Sequence, residues 1–175
     1  MYLKLENFQP TGSFKVRGAL NSLLSLSEEQ RAKGVVAASS GNHGLAVAYG
    51  ASALGIECEV FVPKHAPQTK TDAIRRLGGR LRHHGADVAV TESFARNHAL
   101  ENHKSYISPY NDIKVIGGQG TIALELGQQL DRIDAIYVAV GGGGLISGIA
   151  GYSKSVFDNP RIVAVSYTHL RAHET

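Results

Sequence analysis

The sequence predicts an α/β fold in which a parallel sheet has helices on both faces. Segments with strand-like apolar patterns alternate with helix-like segments along most of the 175 residues, which favours α/β layers. The segments at 35–38 and 135–140 are almost continuously apolar, as is typical of strands that are buried on both faces. Each of these two segments leads into a glycine-containing loop and then into a helix-like segment, so the same strand-loop-helix unit occurs twice.

Glycines and turn residues separate the elements predicted in the first part of the chain. The pattern at 27–30 matches a capping box that opens a short helix, and Gly34 ends it. Gly55 ends a longer alanine-rich helix in the same way. The predicted elements are a strand at 2–6, a helix at 13–24, the short helix after residue 27, a strand at 35–38, the alanine-rich helix to about residue 54, and a strand at 59–62.

The second part of the chain continues the alternation of strands and helices. Thr69 is a candidate cap for a helix, and the two glycines at 78–79 end that helix. The predicted elements are helices at 69–77, 93–102 and 145–155, a helix within 116–130 that follows the glycine-rich stretch at 117–120, a strand that ends within 85–90, and strands at 105–108, 135–140 and 161–165.

The composition and the absence of targeting segments favour a soluble cytoplasmic protein. The net charge is only +3, so composition alone does not call for a nucleic acid or a membrane surface as partner. No apolar run approaches the roughly 20 residues of a membrane span, and the first residues lack the apolar core of a signal peptide. Cys58 is the one cysteine, which excludes an internal disulfide, and it lies in a strand pattern that suits a buried, inert thiol.

A run of four glycines at 141–144 lies between a buried strand and a helix start. Such a loop leaves its backbone N–H groups unobstructed, and the helix adds partial positive charge, so a phosphate can bind there. Nucleotide motifs do not fit: Ser147 occupies the third glycine position of a dinucleotide fingerprint, and Ile149 replaces the lysine of a P-loop. A single phosphate monoester fits better, and a flexible connector is the alternative.

The loop at 39–44 (SSGNHG) belongs to the other strand-loop-helix unit, where it follows the strand segment at 35–38. Its hydroxyls, its carboxamide and its N–H groups at a helix start can hold a substrate carboxylate. The alternative is ordinary helix capping by Ser39, Ser40 or Asn42.

Lys15 lies in the first turn of a predicted helix, beside Phe14 and Val16. The helix dipole disfavours an ammonium group at that end, and apolar neighbours add desolvation. Both effects lower the pKa of a lysine and free its amine for Schiff-base chemistry. Together with two anion-binding loops, this amine suggests a site for a phosphorylated aldehyde and an amino-acid carboxylate. A solvated surface lysine is the alternative.

These motifs together resemble the fold-type II pyridoxal-phosphate enzymes, whose fold is similar to that of the tryptophan synthase β chain. The likeness is greatest to serine/threonine dehydratases and serine racemases, and it covers about residues 2–165. The segments that carry it are 9–19 (QPTGSFKVRGA), 39–44 (SSGNHG), 118–125 (GQGTIALE) and 141–145 (GGGGL).

The resemblance assigns a role to each matching residue. It implies that Lys15 holds pyridoxal 5'-phosphate as a Schiff base and moves the substrate α-proton. It implies that Phe14 packs beside the cofactor ring and that Asn42 hydrogen-bonds its 3-hydroxyl oxygen. Ser40 would face the opposite side of the α-carbon, and Arg96 would be a substrate-side arginine. The implied phosphate ligands are Gly141, Gly142, Gly143, Gly144 and Leu145. The implied carboxylate ligands are Ser39, Ser40, Gly41, Asn42 and His43.

Family members are roughly twice this length, so the resemblance implies an incomplete large domain. Residues 36–107 would form the small domain, and residues 1–27 and 114–165 part of the large, cofactor-binding domain. Residues 166–175 depart from the family pattern and are predicted to be a non-native tail. His169 and His173 lie in it, four residues apart, but without the glutamate of a His-Glu-x-x-His motif, so no metal site is predicted.

The implied reaction is elimination of water and ammonia from L-serine, L-threonine or similar hydroxy amino acids, which yields 2-oxo acids. A serine racemase that uses the same site is one alternative, and an inactive cofactor-binding fragment is another. The implied partner is a small amino-acid substrate, with no nucleic acid and no membrane. The implied location is the cytoplasm, and the implied full-length parent is a homodimer.

Overall fold

The computed structural model describes residues 1–166, apart from the side chain of Lys70. Most of the predicted tail, including His169 and His173, lies outside the described residues. Two compact units make up the chain, Met1–Pro109 and Tyr110–Thr175. The grouping of residues 1–27 with 114–165 in one large domain stays a prediction.

The first unit holds a four-stranded parallel sheet, whose strands in spatial order are β3 (Arg80–His83), β2 (Cys58–Val62), β1 (Val35–Ala38) and β4 (Ser105–Tyr106). Its core strand β1 pairs with β2 on one side and with β4 on the other, with Val35 opposite both Cys58 and Ser105. A 3-10 turn at Glu6–Phe8 precedes the first helix. The elements are α1 (Lys15–Leu24), α2 (Glu28–Lys33), β1 (Val35–Ala38), α3 (Asn42–Ala53), β2 (Cys58–Val62), α4 (Gln68–Arg76), β3 (Arg80–His83), α5 (Val88–Glu101) and β4 (Ser105–Tyr106).

The second unit contains two helices and two parallel strands. Strands β5 (Ala135–Ala139) and β6 (Arg161–Val165) pair with Ile136 opposite Ile162. The elements are α6 (Ile113–Gln129), β5 (Ala135–Ala139), α7 (Gly144–Val156) and β6 (Arg161–Val165). The predicted α/β class and the parallel strand pairing are therefore confirmed. Within residues 1–166, no helix combines the length and the apolar character needed to cross a membrane.

Packing of the first unit depends on the apolar strands and on small residues in α3. Every residue of β1 and β2 is buried. Gly50 of α3 lies against α1, where an added Cβ would come within 2.7 Å of a Leu23 methyl group. Small residues on α3 therefore let α1 approach closely. Because Lys15 is the first residue of α1, this packing also fixes where Lys15 lies.

Several predicted boundaries are wrong, each for a physical reason. Residues 2–6 alternate in polarity but form no strand, because no described strand pairs with them. Helix α4 begins at Gln68 after Pro67, so Thr69 does not cap it. Helix α5 begins at Val88, where the Asp87 carboxylate accepts a hydrogen bond from the Val90 N–H group at 2.9 Å. Strand β3 was missed because its side chains are largely polar and exposed.

Helix α6 begins earlier than predicted and runs through the glycines at 117–120. The Asp112 carboxylate caps it by accepting from the Lys114 N–H group at 2.7 Å. Glycine disfavours helices in isolation, but here it allows close packing. An added Cβ at Gly120 would lie 2.9 Å from the Gly148 carbonyl oxygen of α7. The two helices therefore cross at paired glycines, with backbone against backbone.

We expect Gly148→Ala to destabilise the protein by at least about 2 kcal/mol, because overpacked sites cost roughly this much and backbone cannot rotate away. The added Cβ would collide with the Ile116 carbonyl oxygen and lie 2.7 Å from the Gly120 nitrogen. The matched control is Gly151→Ala on the same helix, where an added Cβ meets nothing within 4 Å. Alanine there should be neutral or stabilising by up to about 1 kcal/mol. Urea unfolding measures both, and equal midpoints for the two variants would contradict the packing.

Candidate active site

Lys15 is the first residue of α1, and its side chain is half-buried. Its Nζ donates a hydrogen bond to the Pro109 carbonyl oxygen at 2.7 Å and lies 5.3 Å from the centroid of the Phe14 ring. Burial lowers the pKa of Lys15. This is the environment expected from the sequence, and the alternative of a solvated surface lysine is wrong. The amine is held in place and is easier to deprotonate than a surface lysine.

His43 is the second residue of α3, and its ring is buried. Its Nε2 lies 2.9 Å from the Ile107 carbonyl oxygen. Because a carbonyl only accepts, Nε2 carries the proton and Nδ1 carries a lone pair. Burial lowers the pKa of His43 to about 4; the hydrogen bond to Ile107 opposes this shift, and the positive charge of Lys15 adds to it. The imidazole is therefore neutral near pH 7.

The pKa of His43 predicts a loss of stability in mild acid. An unfolded histidine titrates near 6.5, so between pH 6.5 and about 4 the unfolded chain binds a proton that the folded protein excludes. The contribution is complete above pH 6.5 and is lost as the pH falls towards 4, by about 3 kcal/mol in total. Urea unfolding at pH 7, 5.5 and 4.5 should show this loss, and His43→Gln should remove most of it. An unchanged pH dependence in His43→Gln would contradict the assignment.

Glu59 titrates in a different pH range and does not obscure that test. Burial alone would raise the pKa of this β2 carboxylate, but hydrogen bonds from Lys104, His98 and Arg82 outweigh burial and lower it to about 2. The Lys104 Nζ lies 2.6 Å from the carboxylate, and the Arg82 Nε lies 3.0 Å from it. The stability that Glu59 contributes is present above pH 4.5 and is lost between pH 4.5 and about 2.

The loop at 39–41 joins β1 to α3 without capping the helix by a side chain. Gly41 is the cap residue, and among the described residues no side chain accepts from the first turn of α3. The Ser39 hydroxyl instead accepts a hydrogen bond from the Gly41 N–H group at 3.1 Å. Asn42 is exposed at the first helical position, and Ser40 is half-buried. The alternative of side-chain capping is therefore wrong, and the first N–H groups of α3 stay available for an anion.

The loop at 141–143 joins β5 to α7 in the second unit. Gly143 has a φ of +87°, a left-handed conformation that favours glycine, and no side chain caps α7 in the described part of the chain. An added Cβ would meet nothing within 4 Å at Gly141 or Gly143, whereas at Gly142 and Gly144 it would collide with Tyr110. The loop is therefore packed on Tyr110 along one side and open along the other. Its bare N–H groups and the start of the 13-residue α7 suit a phosphate.

Arg96 lies on α5 with its guanidinium already engaged. Its Nη2 donates to the Glu92 carboxylate at 2.7 Å, and the group lies 4.3 Å from the centroid of the Tyr106 ring. The substrate-side role that the sequence suggested for Arg96 stays a prediction.

A cavity of about 760 Å³ in the second unit is lined by residues of 127–134 and 156–160. It lies at the amino end of β5, whereas the glycine loop follows the carboxyl end of the same strand. This cavity is therefore separate from the glycine loop of the same unit.

The structure brings Lys15 and His43 to one segment, because Ile107 and Pro109 accept their hydrogen bonds. Neither these two carbonyl groups nor Tyr110 was predicted from the sequence. A backbone acceptor has no sequence signature, since every residue carries one.

Similarity to known proteins shows which family this chain belongs to. A family model described as "Pyridoxal-phosphate dependent enzyme" matches residues 1–174. The chain belongs to this family. The serine racemase of Arabidopsis thaliana is 47% identical to this pyridoxal-phosphate family member over 164 residues, which cover 94% of the chain and 50% of that protein. The mitochondrial threonine dehydratase of Schizosaccharomyces pombe is 42% identical over 94% of the chain and 28% of its own length.

Solved structures agree with this family assignment. The processed form of threonine deaminase isoform 2 from Solanum lycopersicum superposes on this pyridoxal-phosphate family chain with a TM-score of 0.91 and 40% identity, covering 94% of the chain and 48% of that structure. Maize serine racemase superposes with a TM-score of 0.86 and 42% identity, covering 91% of the chain and 48% of that structure. The expected fold-type II architecture is therefore confirmed, and the chain spans about half the length of most of these proteins.

Proposed function

We propose that this chain uses pyridoxal phosphate to eliminate water from hydroxy amino acids such as L-serine and L-threonine. Water then hydrolyses the released enamine to a 2-oxo acid and ammonia. The observation that carries the proposal is the half-buried Lys15 amine, held by the Pro109 carbonyl with its pKa lowered by burial. The names of relatives, threonine dehydratase and L-threonine ammonia-lyase among them, support the reaction class. Cytoplasmic location, a homodimer and a small amino-acid substrate belong to the same proposal.

The residues present fit the cofactor. An amine that loses its proton readily suits an aldehyde carbon, so Lys15 would hold that carbon, with Phe14 beside the ring. The open side of the glycine loop, residues 141–145, would hold the phosphate, and the exposed Asn42 amide would donate to the ring hydroxyl oxygen. When bound, the cofactor supplies a sink for the electron pair left at the substrate α-carbon.

The chain itself would bind the substrate carboxylate and move the proton. The uncapped N–H groups at the start of α3, with the hydroxyls of Ser39 and Ser40, would bind the carboxylate. The Lys15 Nζ would take the proton from the α-carbon, because its lowered pKa leaves a larger fraction of neutral amine near pH 7. The Pro109 carbonyl would orient that amine.

Racemisation is the second candidate, and Ser40 is the residue that favours it. Inverting an α-carbon requires a second acid-base group on the face opposite the lysine. Ser40 is a half-buried hydroxyl in the carboxylate loop and does not cap α3. Relatives named serine racemase, from Arabidopsis thaliana and Dictyostelium discoideum, are consistent with this candidate.

Product analysis of the purified protein with added pyridoxal phosphate tests the proposal. L-serine and L-threonine should each yield a 2-oxo acid and ammonia in equal amounts. Interconversion of serine enantiomers without 2-oxo acid would replace elimination by racemisation. Cofactor absorbance with neither product would identify a binding fragment and contradict the proposal.

A further inference from the structure

We propose that His43 is a positioning residue for Lys15, which it serves by fixing the segment 107–109 whose last carbonyl holds the lysine amine. This inference rests on the proposed function, because it assigns His43 to the lysine and not to the substrate carboxylate. It differs from the role that the sequence suggested, in which His43 is a carboxylate ligand.

The one N–H donor of the His43 ring is not free to bind a substrate carboxylate. Its side chain is buried, with 3% of its surface exposed, and its Nε2–H group is committed to the Ile107 carbonyl oxygen at 2.9 Å. The start of α3 is tightly packed as well, since an added Cβ at Gly44 would collide with the Ser39 carbonyl oxygen. The imidazole is thus held in one place with its donor pointing at the segment 107–109.

Fixing the Ile107 carbonyl also fixes the Pro109 carbonyl, two residues later in the segment 107–109. The Ile107 N–H group donates to the Val36 carbonyl oxygen at 2.8 Å, and the Ile107 side chain is fully buried. Its carbonyl is then fixed by His43. Pro109 has a restricted φ, and a residue before proline such as Ser108 is restricted to extended conformations. Few free torsions therefore separate the Ile107 carbonyl from the Pro109 carbonyl.

The Pro109 carbonyl oxygen accepts from the Lys15 Nζ at 2.7 Å. A hydrogen bond to an ammonium group favours its charged form and limits its access to reagents. Without the His43 donor, the Ile107 carbonyl is left buried and unsatisfied, and the segment relaxes. The Lys15 amine then loses its fixed acceptor. Its reactivity should rise while its alignment for catalysis is lost.

Chemical labelling of lysines in the purified full chain, without cofactor, tests this inference independently of activity. His43→Met removes the donor at nearly constant length, and His43→Gln retains an N–H donor at the same reach. Acetic anhydride labelling, followed by peptide mass spectrometry, should show Lys15 reacting about tenfold faster in His43→Met, as expected for losing a charge-assisted hydrogen bond. His43→Gln should label like the parent protein. The exposed Lys33 and Lys114 serve as internal controls.

A second variant keeps the test decisive if His43→Met does not fold. Pro109→Gly retains the carbonyl but frees the connection, so it should also accelerate Lys15 labelling. Unchanged labelling in a folded His43→Met or in Pro109→Gly would overturn the inference. Steady-state kinetics provides a further readout. If His43 positions Lys15, His43→Met should lower kcat. If His43 binds the substrate carboxylate, His43→Met should raise KM with kcat unchanged, and that result would also overturn the inference. Absence of 2-oxo acid from the parent protein would reject the proposed function while leaving the labelling result readable.

Discussion

Replacing Lys15 with alanine should lower 2-oxo acid formation by at least about 10³-fold. General acid-base groups alone contribute roughly 10²–10⁴-fold, and Lys15 is proposed to hold the cofactor aldehyde as well. Among the described residues, Lys15 is the lysine whose amine donates to the Pro109 carbonyl, so we expect no other lysine to replace it. Initial rates with L-serine and L-threonine at saturating cofactor measure the effect.

The control for this variant is Lys33→Ala. Lys33 is exposed at the end of α2, and its Nζ donates to the Glu29 carboxylate at 2.6 Å. Breaking such a surface ion pair typically costs less than about 1 kcal/mol and should leave the rate unchanged. If Lys15→Ala retains more than a tenth of the parent rate, another group performs the proton transfer and the proposed mechanism is wrong.

Ser40→Ala should separate racemisation from elimination. If Ser40 delivers a proton to the face opposite Lys15, its loss should reduce interconversion of serine enantiomers by about 10²–10⁴-fold. Elimination needs a base on one face only, so 2-oxo acid formation from the enantiomer whose α-proton faces Lys15 should fall much less. Chiral chromatography and 2-oxo acid release, each measured with both enantiomers, give the two rates.

Ser25→Ala is the matched control for Ser40→Ala. Ser25 is exposed after α1, and its hydroxyl donates to the Asn21 carbonyl oxygen at 2.7 Å. Both rates should survive that change. Intact racemisation in Ser40→Ala would reduce Ser40 to a member of the carboxylate loop, and a parent protein that eliminates without interconversion would remove the racemase alternative.

The parts of the fold that the sequence predicted well are those with a strong local signal. Continuous apolar runs predicted β1 at Val35–Ala38 and β6 at Arg161–Val165 with their observed limits. Edge strand β3 was missed because an edge position tolerates polar, exposed side chains and so lacks the apolar pattern. The glycines at 117–120 suggested a loop before a helix, but tertiary packing of α6 on α7 overrides their low helix propensity.

The same division holds for the candidate site. The position of Lys15 at a helix start and the two glycine-containing loops follow from local patterns and were predicted. The acceptor of the Lys15 amine is a carbonyl 94 residues away in the chain, and the acceptor of His43 is 64 residues away. Such contacts depend on the parallel pairing of β1 with β4, which no single stretch of sequence encodes. For the same reason the buried environment of His43 emerged only with the fold.

Borohydride reduction followed by peptide mapping tests the central claim most directly. The purified protein is incubated with pyridoxal phosphate, reduced and digested, and the lysine that carries the reduced cofactor is identified by mass spectrometry. We predict that the modification lies on the peptide containing Lys15 and is absent from Lys15→Ala. Modification of a different lysine, or none at all, would contradict the account.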